Sequence, residues 1–238
     1  MPENGNEAAV AQAFEALRTY DFGTSRAALK PIDEAVRASL GEAGARRDLE
    51  RRLADALGSD APAPAREYAC RQLQLIGTAE SAPALADLLA DERLSHAARA
   101  ALEHIPAAEA VGALRASLAR LAGRQRAGVI LALGMRRDAE SVPALADLLQ
   151  NVDAQTAGAA ATALGNIATP EAARALLAFR PKAPEAIAPA VADACLACAE
   201  QLAAAGRKAG ARALYEALRG ADQPEHVRLA AQTGLENL

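Results

Sequence analysis

The sequence predicts an all-α chain, an α–α superhelix of short antiparallel helix pairs laid side by side. Three observations predict it. Of 238 residues, 67 are alanine, against three Phe, three Tyr and no Trp; alanine is the best helix former and strand-favouring aromatics are scarce. Four segments then share one template: Glu80-SAPAL, Glu109-AVGAL, Glu140-SVPAL and Glu171-AARAL, their glutamates 29, 31 and 31 residues apart. Finally, Ala101-Leu102, Ala132-Leu133 and Ala163-Leu164 recur at intervals of 31 and mark a second helix in each period. A unit of about 30 residues cannot bury its own apolar faces, so copies must stack.

In chain order, residues 7–57 are helical by pattern but off the repeat register, with Val10, Phe14 and Leu17 on one face and Leu49, Leu53 and Leu57 on another. Phe14, Tyr20 and Phe22 fall close together there. A cap whose larger side chains close the end of the core is the plainer account, since terminal repeats are atypical; a partner-docking corner is the other. The stretch GSDAPAP at 58–64 reads as a turn.

The template itself spells a helix start. Thr78, Asp138 and Thr169 stand two residues before a glutamate, where an N-cap belongs, and Pro170 suits a first helical position. The glutamate is then expected in the first turn, favoured by the helix dipole. Ala107 replaces the cap in the second copy, which weakens that start. Gly77 suits a helix end, whereas Gly134 and Gly165 suit close approach of neighbouring helices. Short connections make consecutive helices antiparallel. Three prolines in RPKAPEAIAP at 180–189 interrupt the register. A helix over about 189–205 and another over about 207–219 follow, turning at Gly206.

Pairs of this length, Ala-Leu rich, with a Glu-led first helix and an A-x-x-A-L second helix, resemble HEAT-like repeats of the phycobilin-lyase class over residues 62–178. Val227-Arg228-Leu229-Ala230-Ala231 resembles the opening of a further second helix. The hairpin containing Gly206, Ala211 and Tyr215 resembles a tetratricopeptide pair. The expected organisation is an irregular helical cap over 1–61, regular repeats over 62–180 and C-terminal helical pairs over 181–238, all one continuous domain. The resemblance implies a solenoid, an array of a kind often found as a module in larger bacterial proteins; a curved stack presents a long concave wall on which a protein partner can be held.

The formal charge is −4 and the pI about 5.5, which is not the balance of a nucleic-acid binder. No apolar run approaches the ~18–20 residues of a membrane span. The N-terminal MPENGNEAAV has neither the basic start nor the apolar stretch of a signal peptide, so a cytoplasmic setting is the default expectation. Three cysteines in a chain of this length do not make a disulfide framework. Cys195-x-x-Cys198 lies on one helix face but lacks the second pair a zinc site needs; small buried hydrophobes are the better account. His96, His104 and His226 read as surface residues. No cofactor or metal is expected, and no catalytic residue is assigned.

Two groups of candidate binding residues stand out. Arg71, Gln74, Arg99, Glu103, His104 and Asn166 are candidate outward positions on second helices. Between Glu109 and Asp138 the chain has no acidic residue and six arginines: Arg115, Arg120, Arg124, Arg126, Arg136 and Arg137. Guanidinium forks suit carboxylates and phosphates, so a partner with an acidic surface is one reading; a solvated face paired to acids of adjacent repeats is the plainer one. The functional expectation is a non-catalytic protein–protein interaction scaffold. Two alternatives accompany it. Phycobilin lyases use such repeats to position a tetrapyrrole. Alkylpurine DNA glycosylases have a HEAT-like fold and use aromatic and acidic residues around a lesion, but the absence of Trp and the N-terminal clustering of aromatics weigh against nucleic acid here.

Overall fold

A computed structural model describes residues 3–151, 153–220 and 223–238. Every regular element among them is helical. They fall into two compact units, residues 1–121 and 122–238.

The first unit contains α1 (Glu3–Leu17), α2 (Lys30–Ala38), α3 (Ala43–Leu57), α4 (Ala63–Ile76), α5 (Ala82–Asp87), α6 (Ser95–His104) and α7 (Ala108–Ser117). The second contains α8 (Gly123–Met135), α9 (Val142–Leu148), α10 (Ala154–Ile167), α11 (Pro170–Phe179), α12 (Ala188–Ala204), α13 (Lys208–Leu218) and α14 (Glu225–Glu236). In each unit the helices pair in sequence and the pairs stack. Second helices pack side by side, α4 on α6 in one unit and α8, α10 and α12 in the other; first helices do likewise, α5 on α7 and α9 on α11. This is the helix-pair architecture of HEAT and armadillo repeats.

The recurring Ala-Leu pairs form the core. Ala101, Leu102, Ala132, Leu133, Ala163 and Leu164 are all wholly buried, each leucine contributing about 2 kcal/mol of burial. Val10, Phe14, Leu17, Leu49, Leu53 and Leu57 are buried too. Phe22 is not: it is 96% exposed, at the tip of a turn closed by Asp21 and Thr24, so only Phe14 of that pair serves the core.

The four first helices differ in where they begin, and proline explains it. In the two copies with no proline after the glutamate, α7 and α11 each run ten residues and hold Glu109 and Glu171 in their first turns. In SAPAL and SVPAL the proline lacks an N–H and disfavours helical backbone at the residue before it, so it is tolerated only at a helix start. There α5 and α9 begin at Ala82 and Val142, with six and seven residues. Glu80 therefore precedes its α-helix in a turn, and Glu140 sits in a 3-10 turn, Ala139–Ser141, rather than in a first α-helical turn as expected. Thr169 caps α11 by accepting from Ala172 N–H at 3.1 Å. Thr78 accepts from Glu80 N–H at 3.2 Å, ordering the turn ahead of α5 rather than capping it. Ala107 offers no side-chain cap.

Gly134 and Gly165 bring second helices together. A Cβ on Gly134 would lie 2.6 Å from Ala163 Cα, and one on Gly165 would lie 3.0 Å from Ala194 Cα. Neither glycine terminates its helix. That role falls to Arg137 and Ala168, both left-handed at φ 53° and 50°. At the end of α8, Arg137 N–H donates to Gly134 O at 3.0 Å and Asp138 N–H to Leu133 O at 3.1 Å, a Schellman closure with arginine where glycine is usual. Gly206, at φ 73°, occupies the same place after α12, at the turn where the sequence expects it. Farther on, Gly234 of α14 lies against the Tyr215 ring.

Candidate functional site

Five of the six second-helix candidates share one surface of the first unit. Arg71 and Gln74 project from α4, and Arg99, Glu103 and His104 from α6. Gln74 Nε2 lies 3.2 Å from His104 Nδ1, which lies 2.8 Å from Ala100 O. Arg99 contacts Glu103 Oε2 at 3.4 Å and His96 Nδ1 at 2.9 Å, and Arg71 pairs with Glu67 one turn back. These bonds run mostly along each helix, where side chains three and four apart meet; the Gln74–His104 contact crosses from one helix to the next. Leu75, 61% exposed beside Gln74, adds an apolar point. Arg71 and His104 are exposed, whereas Gln74, Arg99 and Glu103 are half-buried. The sixth candidate, Asn166, is half-buried on α10 of the second unit. There the exposed Leu131 and Met135 stand one turn apart on α8.

The six arginines of the acid-free stretch divide between the units. In the first, Arg115 is half-buried on α7 and Arg120 donates to Ala86 O at 3.0 Å. In the second, Arg124 and Arg126 lie in the first turn of α8, while Arg136 and Arg137 lie just past its end. Twelve helical steps separate Arg124 from Arg136, about 18 Å, so the sequence cluster becomes two pairs.

Cys70, Cys195 and Cys198 are wholly buried free thiols. Burial pushes each up to about 12, so they are packed as neutral hydrophobes rather than held as thiolates. His96, His104 and His226 are exposed.

Two polar centres of the first unit, one partly and one wholly buried, carry little signal in the sequence. Asp33 of α2 accepts from Arg26 through both oxygens at 3.1 Å, from Tyr68 Oη at 2.9 Å and from Gln72 Nε2 at 3.0 Å. It ties the N-terminal pair to α4. Burial and that bond push the Tyr68 hydroxyl well above its ordinary value. Glu50 of α3, 1% exposed, accepts from Thr78 N–H at 2.6 Å, Thr78 Oγ1 at 3.0 Å and Ser81 N–H at 3.2 Å. It holds the turn at 78–81 ahead of α5. Apart from Arg26, seven residues from Asp33, the partners lie 28 to 39 residues apart in sequence, and only Thr78 gave any local signal.

The family model of the Armadillo/beta-catenin-like repeat matches residues 137–169. That segment runs from the left-handed Arg137 to the Thr169 cap and spans one complete pair, α9 and α10; it supports the HEAT/armadillo repeat class. No curated protein matches the chain. Among solved structures, human deoxyhypusine hydroxylase in complex with glycerol is similar at 19% identity, covering 99% of this chain and 98% of that one, with a TM-score of 0.39. An engineered protein is similar at 21% identity, covering 87% and 95%, with a TM-score of 0.42. No helix among the described residues is long and apolar enough to cross a membrane.

Proposed function

We propose that the chain is a non-catalytic scaffold that holds a protein partner on the outward faces of its second helices. The observation that carries this reading is the α4–α6 surface, where Gln74 reaches His104 across the two helices and Leu75 stands exposed next to Gln74 in sequence. Apolar and polar side chains side by side on one surface suit an interface core and rim. In the second unit, taken by itself, Asn166 of α10 and the arginine pairs at the two ends of α8 are separate candidate contacts, Arg presenting its planar fork to carboxylates of a partner. The resemblance to phycobilin-lyase repeats enters as architecture, not as tetrapyrrole chemistry.

The test is affinity capture from the native organism with the intact chain as bait. Capture of one stoichiometric protein should be lost in Leu75→Glu and in Arg71→Glu, both exposed positions whose substitution leaves the core intact. Undiminished capture by both variants would refute the α4–α6 assignment. Undiminished capture when Arg124 and Arg137 are reversed to Glu would remove the acidic-partner element alone.

A further inference from the structure

The described residues hold sulfur at four positions, in two opposite settings. Cys70, Cys195 and Cys198 lie wholly inside the core. Met135 is 64% exposed in the last turn of α8, and Leu131, one turn back on the same face, is 38% exposed. Register explains the placement. Ala132 and Leu133 turn inward, and Gly134 lies against the Ala163 backbone, so the residue after it and the one four before that face outward together. The end of α8 is closed by backbone. Arg136, Arg137 and Asp138 N–H groups donate to Ala132 O, Gly134 O and Leu133 O at 2.9, 3.0 and 3.1 Å, and a change at the Met135 sulfur leaves these bonds in place.

The two settings reverse the usual order of reactivity. A thiol meets an oxidant as its thiolate. Burial pushes the three thiols up to about 12, which leaves roughly one in 10⁵ ionised at pH 7, and the packed core keeps the oxidant from them. A thioether needs no ionisation. It attacks through a sulfur lone pair, so access sets its rate.

We propose that Met135 is a reversible oxidation site on the surface of α8, where a hydroperoxide converts the thioether to methionine sulfoxide. The sulfur lone pair takes one peroxide oxygen as the O–O bond breaks, and the other oxygen leaves as water or an alcohol once it has taken up the peroxide proton. Sulfur loses two electrons and the peroxide gains them. The product sets a strong hydrogen-bond acceptor beside Leu131, so an apolar patch becomes polar while the core of the unit is unchanged. Its exposure also admits a sulfoxide reductase, which restores the thioether. The assignment depends neither on the α4–α6 surface nor on the partner proposed there.

The experiment treats the whole folded chain with hydrogen peroxide at pH 7 and follows the tryptic peptide 127–136, which contains Met135. The peptide should gain one oxygen, about 16 Da, at a rate within about tenfold of N-acetylmethionine amide in the same tube. All three thiols should still titrate when the chain is then opened in urea. The urea midpoint of the oxidised chain should move by less than about 0.2 M. A methionine sulfoxide reductase with dithiothreitol should remove the oxygen from the folded chain. In Met135→Leu the thiols should survive equally well, because burial protects them rather than sacrifice of Met135. Slower oxidation of Met135 than that tenfold limit, or loss of thiols ahead of it, would overturn the assignment. So would a larger fall in the urea midpoint, which would place the sulfur in packing. Resistance of the folded sulfoxide to the reductase would refute reversibility.

Discussion

The two units fix the spacing of their helix pairs by different means. In the first, carboxylates reach between pairs: the partly buried Asp33 collects Arg26, Tyr68 and Gln72, and the buried Glu50 holds the turn before α5. In the second, missing side chains do the same work: Gly134 admits Ala163, and Gly165 admits Ala194. A carboxylate with several donors specifies one geometry, because any displacement strands a buried charge. A glycine specifies nothing by attraction; it permits an approach that dispersion and burial then favour. The same repeat can therefore be held in register by direction in one place and by shape in another.

The sharpest way to break this contrast is Gly134→Val. Its Cβ would meet the Ala163 backbone, which cannot rotate away, and we expect a loss of about 3 kcal/mol in urea denaturation. The damage should be local: Cys195 and Cys198 should label with a thiol reagent at lower urea than Cys70. Equal shifts at all three cysteines would mean that the two units unfold as one.

Glu50→Ala is the complementary test in the first unit. It leaves Thr78 and Ser81 N–H groups without their acceptor, at a cost of about 2 kcal/mol. Here Cys70 should become reactive first. A loss under 0.5 kcal/mol, roughly the noise of surface substitutions, would show that Glu50 is replaceable by water.

The thiols give a third comparison that needs no mutation. Each has an ordinary value of 9.0, raised to about 12 by burial. Below pH 9 both folded and unfolded chains keep the protons, and stability is unaffected. Between pH 9 and 12 the unfolded chain loses protons that the folded chain retains, so stability falls as pH rises. At pH 10 the loss is about 1.4 kcal/mol per thiol, hence twice as large for the second unit, with two cysteines, as for the first, with one. Cysteine-to-alanine variants should flatten the alkaline slope in that proportion.

The smallest expected effect is a gain. Ala168 holds a left-handed φ that costs a non-glycine residue about 1 kcal/mol, so Ala168→Gly should raise stability by up to that amount. A fall in melting temperature would mean that the Ala168 methyl contributes packing that outweighs its strain.

The stacking was legible in the sequence because it is written at a fixed interval: buried Ala-Leu pairs at 101, 132 and 163 and close-approach glycines at 134 and 165. Helix starts were half legible. Thr169 and Pro170 behave as local rules require, whereas Pro83 and Pro143 move the starts of α5 and α9 past Glu80 and Glu140. The proline was visible, but its consequence depends on which residue becomes the first to adopt helical backbone. The outward placement of Arg71 and His104 followed from register. The split of the arginines did not, since neighbours in sequence became opposite ends of α8. The Asp33 and Glu50 centres were invisible because their partners come from other pairs, which no local pattern encodes.

The left-handed joints at Arg137 and Ala168 lie 31 residues apart and precede Asp138 and Thr169, the residues ahead of the next pair. Removing 138–168 would bring a left-handed residue directly before Thr169 and set Gly134 opposite Ala194, the partner Gly165 now has. Inserting a copy would reproduce the same seam. The pair between these joints is thus a modular unit, whose ends match the ends of its neighbours.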